Sequence, residues 1–170
     1  LIPTHTRAPH AHTSPPPPPL SVSVVPCRCF LQYSEKLLVG YRYYDAKHEV
    51  PAFPFGHGLS YSSFSYADLK ASKSTVSFTL KNTGAVHASE VPQLYLTFPA
   101  SSGEPPQQLK GFQQVPLAPG ASATVTFALD SRAISIWDIA SRKWAEQSGS
   151  FGVMVGASSR DSKLTGSFTV

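Results

Sequence analysis

Few residues in this sequence have the chemistry to catalyse a reaction or hold a metal. In the stretch FPFGHGLSYSSFSY, Phe53 to Tyr66, His57 stands between Gly56 and Gly58. An imidazole can serve as an acid or base near neutral pH, but a lone histidine in a glycine-rich turn reads more simply as a hydrogen-bonding spacer. GHGLS has the wrong order for a G-x-S-x-G nucleophile elbow, and no phosphate-loop or dinucleotide glycine pattern opens a helix. Cys27 and Cys29 are separated by one residue, which strains a mutual disulfide and leaves two thiols beside His5, His10 and His12 in a flexible tail. That spacing does not build a zinc site. No catalytic residue, metal or cofactor is expected.

What the Phe53 to Tyr66 stretch does supply is ring surface beside backbone freedom, so the elements that position it matter more than its one histidine. The chain has 170 residues, enough for one ordinary domain with about thirty to sixty residues to spare. It is 41% hydrophobic and only 14% charged, with 16 prolines, a balance that favours an all-β secreted type over a helical cytosolic one. The net charge of +4 comes from scattered Lys and Arg with no basic stripe, which argues against nucleic acid as a partner. No run approaches the ~18 to 20 apolar residues of a membrane-spanning helix, and no signal peptide is recognisable at Leu1. The chain reads as a piece of something longer.

Residues 1–32 are biased toward Pro, His, Ser and Thr, with Pro15 to Pro19 confined to extended polyproline II; they read as a disordered low-complexity tail. Residues 33–65 hold YSEKLLVGYRYYD, in which Leu37, Leu38, Val39, Tyr41, Tyr43 and Tyr44 suggest one buried strand, followed by the aromatic stretch. From residue 66 to 170, short alternating runs recur. Val76, Phe78 and Leu80 share one face, as do Leu94, Leu96 and Phe98, then Ala123, Val125, Phe127 and Leu129, then Phe151, Val153 and Val155, and finally Leu164, Phe168 and Val170. Pro92 places its strand late or at a sheet edge. Turn formers at Asn82-Thr83-Gly84, Ala118 to Gly120, Ser102-Gly103 and Ser148-Gly149 punctuate them. Six or seven strands with almost no helical periodicity predict an all-β fold: an immunoglobulin- or fibronectin type III-like antiparallel β-sandwich. Trp137 and Trp144 read as core or sheet-edge aromatics.

The motifs YSEKLLVGYRYYD, FPFGHGLSYSSFSY, LKNTG, EVPQLYLTFP, QLKGFQQVPLAPG and WAEQSGSFGVMVGASSRD occur in this order. Over residues 33–170 the sequence resembles the C-terminal end of glycoside hydrolase family 3 β-glucosidases, most closely the fungal type. That family places a catalytic (β/α)8 barrel first, then an α/β sandwich, then a fibronectin type III-like domain. The resemblance implies that residues 33–65 are the last strand of the second domain plus an aromatic interdomain linker, and that residues 66–170 are the third. Two departures, Lys36 for the usual Gly and Ser89 for the usual Gly before Glu90, touch local turn geometry.

The resemblance implies an accessory role. Tyr41, Tyr44, Phe53, Phe55, Gly56, Gly58, Tyr61 and Phe64 would pack between domains, the glycines turning the chain and the rings wedging. Burying four such rings would contribute about 6 to 12 kcal/mol before ordering costs. The partner would be the catalytic domains of the same β-glucosidase, which cleaves terminal non-reducing β-D-glucosyl residues such as those of cellobiose; secretion follows from the same resemblance. Retaining hydrolysis needs a nucleophile and an acid/base with carboxyls ~5 to 5.5 Å apart. In that family both precede this region, and the ten acidic residues here, Asp138 of IWD among them, read as turn, strand-end or surface groups. Turnover by this chain alone is not expected. A different class of function is a free polysaccharide-binding module using exposed Tyr95, Trp137 and Trp144; it predicts a planar aromatic row on the sandwich, whereas the accessory role predicts a bare apolar patch over Tyr41 to Phe64.

Overall fold

A computed structural model describes residues 33–170. The tail, its polyproline run and the Cys27, Cys29, His5, His10 and His12 readings lie outside the described residues. In chain order the elements are α1 (Tyr41–Ala46), β1 (Phe64–Ala71), β2 (Thr75–Asn82), β3 (Ala88–Glu90), β4 (Gln93–Thr97), β5 (Gln108–Phe112), β6 (Val115–Leu117), β7 (Ser122–Ala128), β8 (Ser135–Asp138), β9 (Lys143–Glu146), β10 (Ser150–Ser158) and β11 (Asp161–Thr169), with two 3-10 turns at Ala100–Ser102 and Ser131–Ile134. Every strand pairing among the described residues is antiparallel. One sheet has the order β1-β2-β7 and the other β11-β10-β4-β5; β3-β6 and β8-β9 are separate two-stranded ribbons.

The alternation seen in the sequence builds the core. β2 turns Val76, Phe78 and Leu80 inward, each no more than 1% exposed, and β7 opposes them with Val125 and Phe127. From the other sheet come Leu94 and Leu96 of β4, Phe151, Val153 and Val155 of β10, and Phe168 of β11, all in the same contiguous cluster. The fold is thus an all-β, two-layer antiparallel sandwich, as expected. Phe151 stacks on Phe168 at 5.3 Å and meets Phe98 edge-on at 5.1 Å, which packs rings at the end of the second sheet where β10 begins and β11 ends.

One local expectation changes, and two are resolved. Leu37 to Tyr44 is not a buried strand: a turn over residues 34–37 and the six-residue helix α1 replace it, and Leu37 and Val39 are exposed. A strand needs a neighbour to accept its backbone hydrogen bonds. This segment has none among the described residues, so it closes them locally instead, Lys47 N–H to Tyr43 O among them. Pro92 does delay its strand to Gln93, but β4 lies inside the sheet between β10 and β5 rather than at an edge. Lys36 adopts φ +52°, the left-handed conformation that suits the glycine it replaces in the resemblance.

Asn82, read from sequence as a turn residue, is wholly buried at the end of β2. Its Nδ2 donates to Val86 O at 2.9 Å and Leu117 O at 3.0 Å, while its Oδ1 accepts from Ser62 Oγ at 2.6 Å and Gly84 N–H at 3.0 Å. One carboxamide therefore joins the entry to β1, the loop after β2 and the end of β6, using every hydrogen-bonding position it has. Asn82→Ala should lower unfolding stability by roughly 2 to 4 kcal/mol, because the abandoned carbonyls and N–H lose their partner in a dry site. A urea melt showing a loss below about 1 kcal/mol would mean that this side chain does not close the sandwich end.

Candidate functional site

Strand β4 is buried on both faces. Leu94 and Leu96 point into the core, and on the outer face Gln93 and Tyr95 are also buried, Tyr95 wholly so. Residues 41–56 cover that outer face. Tyr41 stacks on Phe55 at 4.6 Å and meets the Tyr95 ring edge-on at 5.9 Å. The cover is held by polar contacts as well as rings. Gln93 Nε2 donates to Gly56 O and to Ala157 O, both at 2.9 Å, and its Oε1 accepts the Tyr95 hydroxyl at 2.6 Å. Ser159 N–H donates to Phe55 O at 2.9 Å, and Leu109 N–H, on edge strand β5, donates to the Tyr41 hydroxyl at 2.8 Å.

The end of α1 is fixed by charge. Asp45 accepts from Arg160 Nε and from Gln107 Nε2, each at 2.8 Å, and Arg160 also donates to Glu49 O at 2.8 Å. The Asp45 side chain is only 10% exposed, so the pair is better shielded from water than the other ion pairs, Lys73–Glu146 and Lys163–Asp161.

The eight residues singled out from sequence part into four groups. Tyr41, Phe55 and Gly56 grip the sheet. Gly56 has φ +78°, and a Cβ there would collide with the Gln93 carboxamide, so glycine is required twice over. Gly58 has no such constraint: its φ is not left-handed and a Cβ would meet open space. Phe64 opens β1 and packs against the sandwich's own core, so it does not wedge outward. The remaining rings face solvent: Tyr44 is 40% exposed, Phe53 76% and Tyr61 101%, with Leu59 beside them at 95%, and Phe55 is itself 46% exposed. An apolar cleft of about 390 Å³ opens beside Leu59, walled also by Phe55, Val91, Leu109 and Phe112. His57 has a spacer's place, its N–H donating to Pro54 O and its ring against Phe53 at 5.8 Å.

The groups expected to carry a free binding module are arranged otherwise. Tyr95 is inaccessible, and Trp137 and Trp144 are neither core nor coplanar: they face each other across the β8-β9 ribbon at 70°, each about half exposed. Asp138 makes a turn, accepting from Ala140 N–H and Ser141 N–H; hydrogen bonds from Ser141, side chain first and backbone next, and then from Ala140 hold its carboxyl below the usual range. Among the described residues no cluster of three His, Cys, Asp or Glu could hold a metal, and no helix is long and apolar enough to cross a membrane. Sequence reasoning missed Gln93, Asn82 and Arg160, because a single polar letter in a strand or turn does not announce its partners.

Residues 90–159 match the family model for the fibronectin type III-like domain. The chain is 43% identical over 162 residues to probable beta-glucosidase D of Aspergillus niger, a match that covers 81% of this chain and 22% of that protein. Among solved structures, beta-D-glucoside glucohydrolase from Trichoderma reesei superposes with a TM-score of 0.77 at 41% identity, over 81% of this chain and 23% of that one. The GH3 beta-glucosidase of Bifidobacterium adolescentis does so with a TM-score of 0.76 at 38% identity, over 81% and 21%. The chain spans about a fifth of the length of the curated relatives it matches.

Gln93→Ala would strip Gly56 O, Ala157 O and the Tyr95 hydroxyl of their partner, so unfolding stability should fall by roughly 2 to 4 kcal/mol and residues 53–60 should be cut faster by a broad-specificity protease. An unchanged cutting rate would show that the rings alone hold the cover. Burial, then the Glu90 carboxylate that accepts from its hydroxyl at 2.8 Å, pushes the Tyr66 phenol well above its ordinary pKa near 10; burial, then Tyr41 and Asp45, does the same for Tyr95. A raised folded-state pKa gives stability that is complete below the unfolded value and is lost as pH rises past it. Ultraviolet titration should therefore show two of the seven tyrosines ionising only as the chain unfolds above pH ~10. Seven tyrosines titrating together in the folded chain would contradict their burial.

Proposed function

We propose that this chain is the non-catalytic C-terminal accessory part of a β-glucosidase of glycoside hydrolase family 3, packing against and stabilising that enzyme's catalytic domains. The observation that carries this reading is a segment fixed along one side to the sandwich and bare along the other. Tyr41 and Gly56 are locked to β4, and Phe55 to the Tyr41 ring and the Ser159 N–H, while Tyr44, Phe53, Leu59 and Tyr61 present their apolar surface to solvent on the same stretch. Exposed apolar side chains gathered on a segment anchored to the sandwich at Tyr41, Phe55 and Gly56 are characteristic of surfaces awaiting a partner. The extent of the similarity, a fifth of each relative, supports the identity of that partner as the rest of such an enzyme.

On this reading the enzyme is secreted and removes terminal non-reducing β-D-glucosyl residues, in the course of cellulose breakdown, with a nucleophile and acid/base carried by the catalytic domains. The carboxylates here have other work: Asp45 pairs with Arg160, Asp130 caps a 3-10 turn through Ala133 N–H, and Glu90 accepts from Tyr66. A linked triple change, Phe53→Ser with Leu59→Ser and Tyr61→Ser, should leave the melting temperature of the isolated chain within about 3 °C of the original, since exposed positions away from special features are close to neutral. It should also reduce binding of an apolar-surface dye, and neither form should hydrolyse p-nitrophenyl β-glucoside. Hydrolysis by the chain alone, or unfolding of the triple variant, would defeat the accessory reading.

A further inference from the structure

A second hollow, of about 850 Å³, lies apart from the aromatic segment's exposed rings and is unlike the first in chemistry. Four cations line it, Lys36, Arg42, Lys110 and Arg132, together with Trp137 and Trp144. The volume is in the range of small-molecule sites. The two tryptophans sit with ring centroids 5.6 Å apart, and the Arg132 guanidinium lies 4.6 Å from the centre of the Trp144 ring, which holds this exposed side chain in place. Lys110 Nζ is held 4.9 Å from the Phe98 ring.

The charges of this hollow are not balanced. Among the described residues the ion pairs are Lys73–Glu146, Arg160–Asp45 and Lys163–Asp161, so none of the four cations has a carboxylate partner. Two acids also line the hollow, Glu104, which accepts from Gln108 Nε2, and Asp130, which accepts from Ala133 N–H; both act on Lys110 and offset part of the positive charge, so that four cations face two carboxylates. Burial, then the nearby Arg42, lowers the Lys110 pKa, as expected where positive charges are brought together and partly dried. An anion would relieve that crowding, and the indole rings would cover an apolar ring attached to it.

We propose that this hollow binds a small carboxylate carried on a six-membered ring, the anion set among Arg42, Lys110 and Arg132 and the ring against Trp144 and Trp137. The hollow shares Lys36, Leu37 and Arg42 with the segment that carries the accessory reading but uses none of the exposed rings on residues 44–61, so the inference stands on different side chains. Two sources share this chemistry, a sugar acid and an aromatic acid.

Trp137 and Trp144 are the only tryptophans in the chain, so its indole fluorescence reports on this hollow alone. The full chain would be titrated with glucuronate and, separately, with benzoate, against glucose and sodium chloride at matched ionic strength. A saturable change with at least one of the acids, half-complete below about 10 mM, is expected, with none for either control. Saturation by glucuronate alone assigns a sugar acid, by benzoate alone an aromatic acid, and by both the shared chemistry. Arg132→Gln and Lys110→Gln, each checked for unchanged circular dichroism, should weaken binding at least about tenfold. No saturation by either acid, an equal response to glucose or chloride, or unchanged affinity in both folded variants would overturn the proposal.

Discussion

The outer face of β4 is the constraint from which the rest of this structure follows. A central strand that carries Gln93 and Tyr95 outward has to bury both or leave a large ring and a carboxamide against water beside a packed sheet. The chain buries them under its own N-terminal segment. Gln93 makes the arrangement specific: one side chain takes the Tyr95 hydroxyl and gives its two N–H groups to Gly56 and Ala157, leaving nothing unsatisfied. No buried side-chain polar atom among the described residues lacks a partner. Apolar cover alone would leave the segment free to slide; the carboxamide fixes its register.

That fixation has a functional consequence. A flexible linker carrying Tyr44 and Phe53 would lose the entropy of its backbone on docking, whereas one already tied to the sheet at Tyr41, Phe55 and Gly56 has lost it during folding. The Asp45–Arg160 contact extends the tie from the sheet to α1, linking residues far apart in sequence through a carboxylate that is mostly buried. The two halves of the segment thus do different jobs. Its inner side completes a sandwich that would otherwise expose β4, and its outer side is left as a preorganised apolar face.

Much of the sandwich was legible in the sequence because burial on one face imprints a period of two. Val76, Phe78 and Leu80 were readable for that reason, as were Phe151, Val153 and Val155. Tyr95 was not: it sits out of phase with Leu94 and Leu96, and only a cover from a distant segment turns an outward ring into a buried one. The strand expected at Leu37 to Tyr44 failed for the converse reason. Its apolar letters suited a strand, but a strand exists only if another accepts its hydrogen bonds, and sequence does not state which neighbour is present. Of the aromatic stretch, Phe55 and Gly56 were singled out through the family resemblance as groups packing between domains, while the division between gripping and exposed rings was not legible. Gln93 and Asn82 each act through several distant partners, and no local pattern encodes that.

The claim that the segment is tied to the sandwich while its outer rings stay bare is tested most directly by amide hydrogen exchange on the isolated chain. The Leu109 and Ser159 amides donate to Tyr41 and Phe55 of the segment. They should exchange slowly, with protection comparable to that of amides inside the β4-β10 ladder, while the amides of Leu59, Ser60 and Tyr61 exchange quickly. Exchange of Leu109 and Ser159 at the rate of an unstructured peptide would contradict the account, because the segment would then be loose and its exposed rings would belong to no fixed surface.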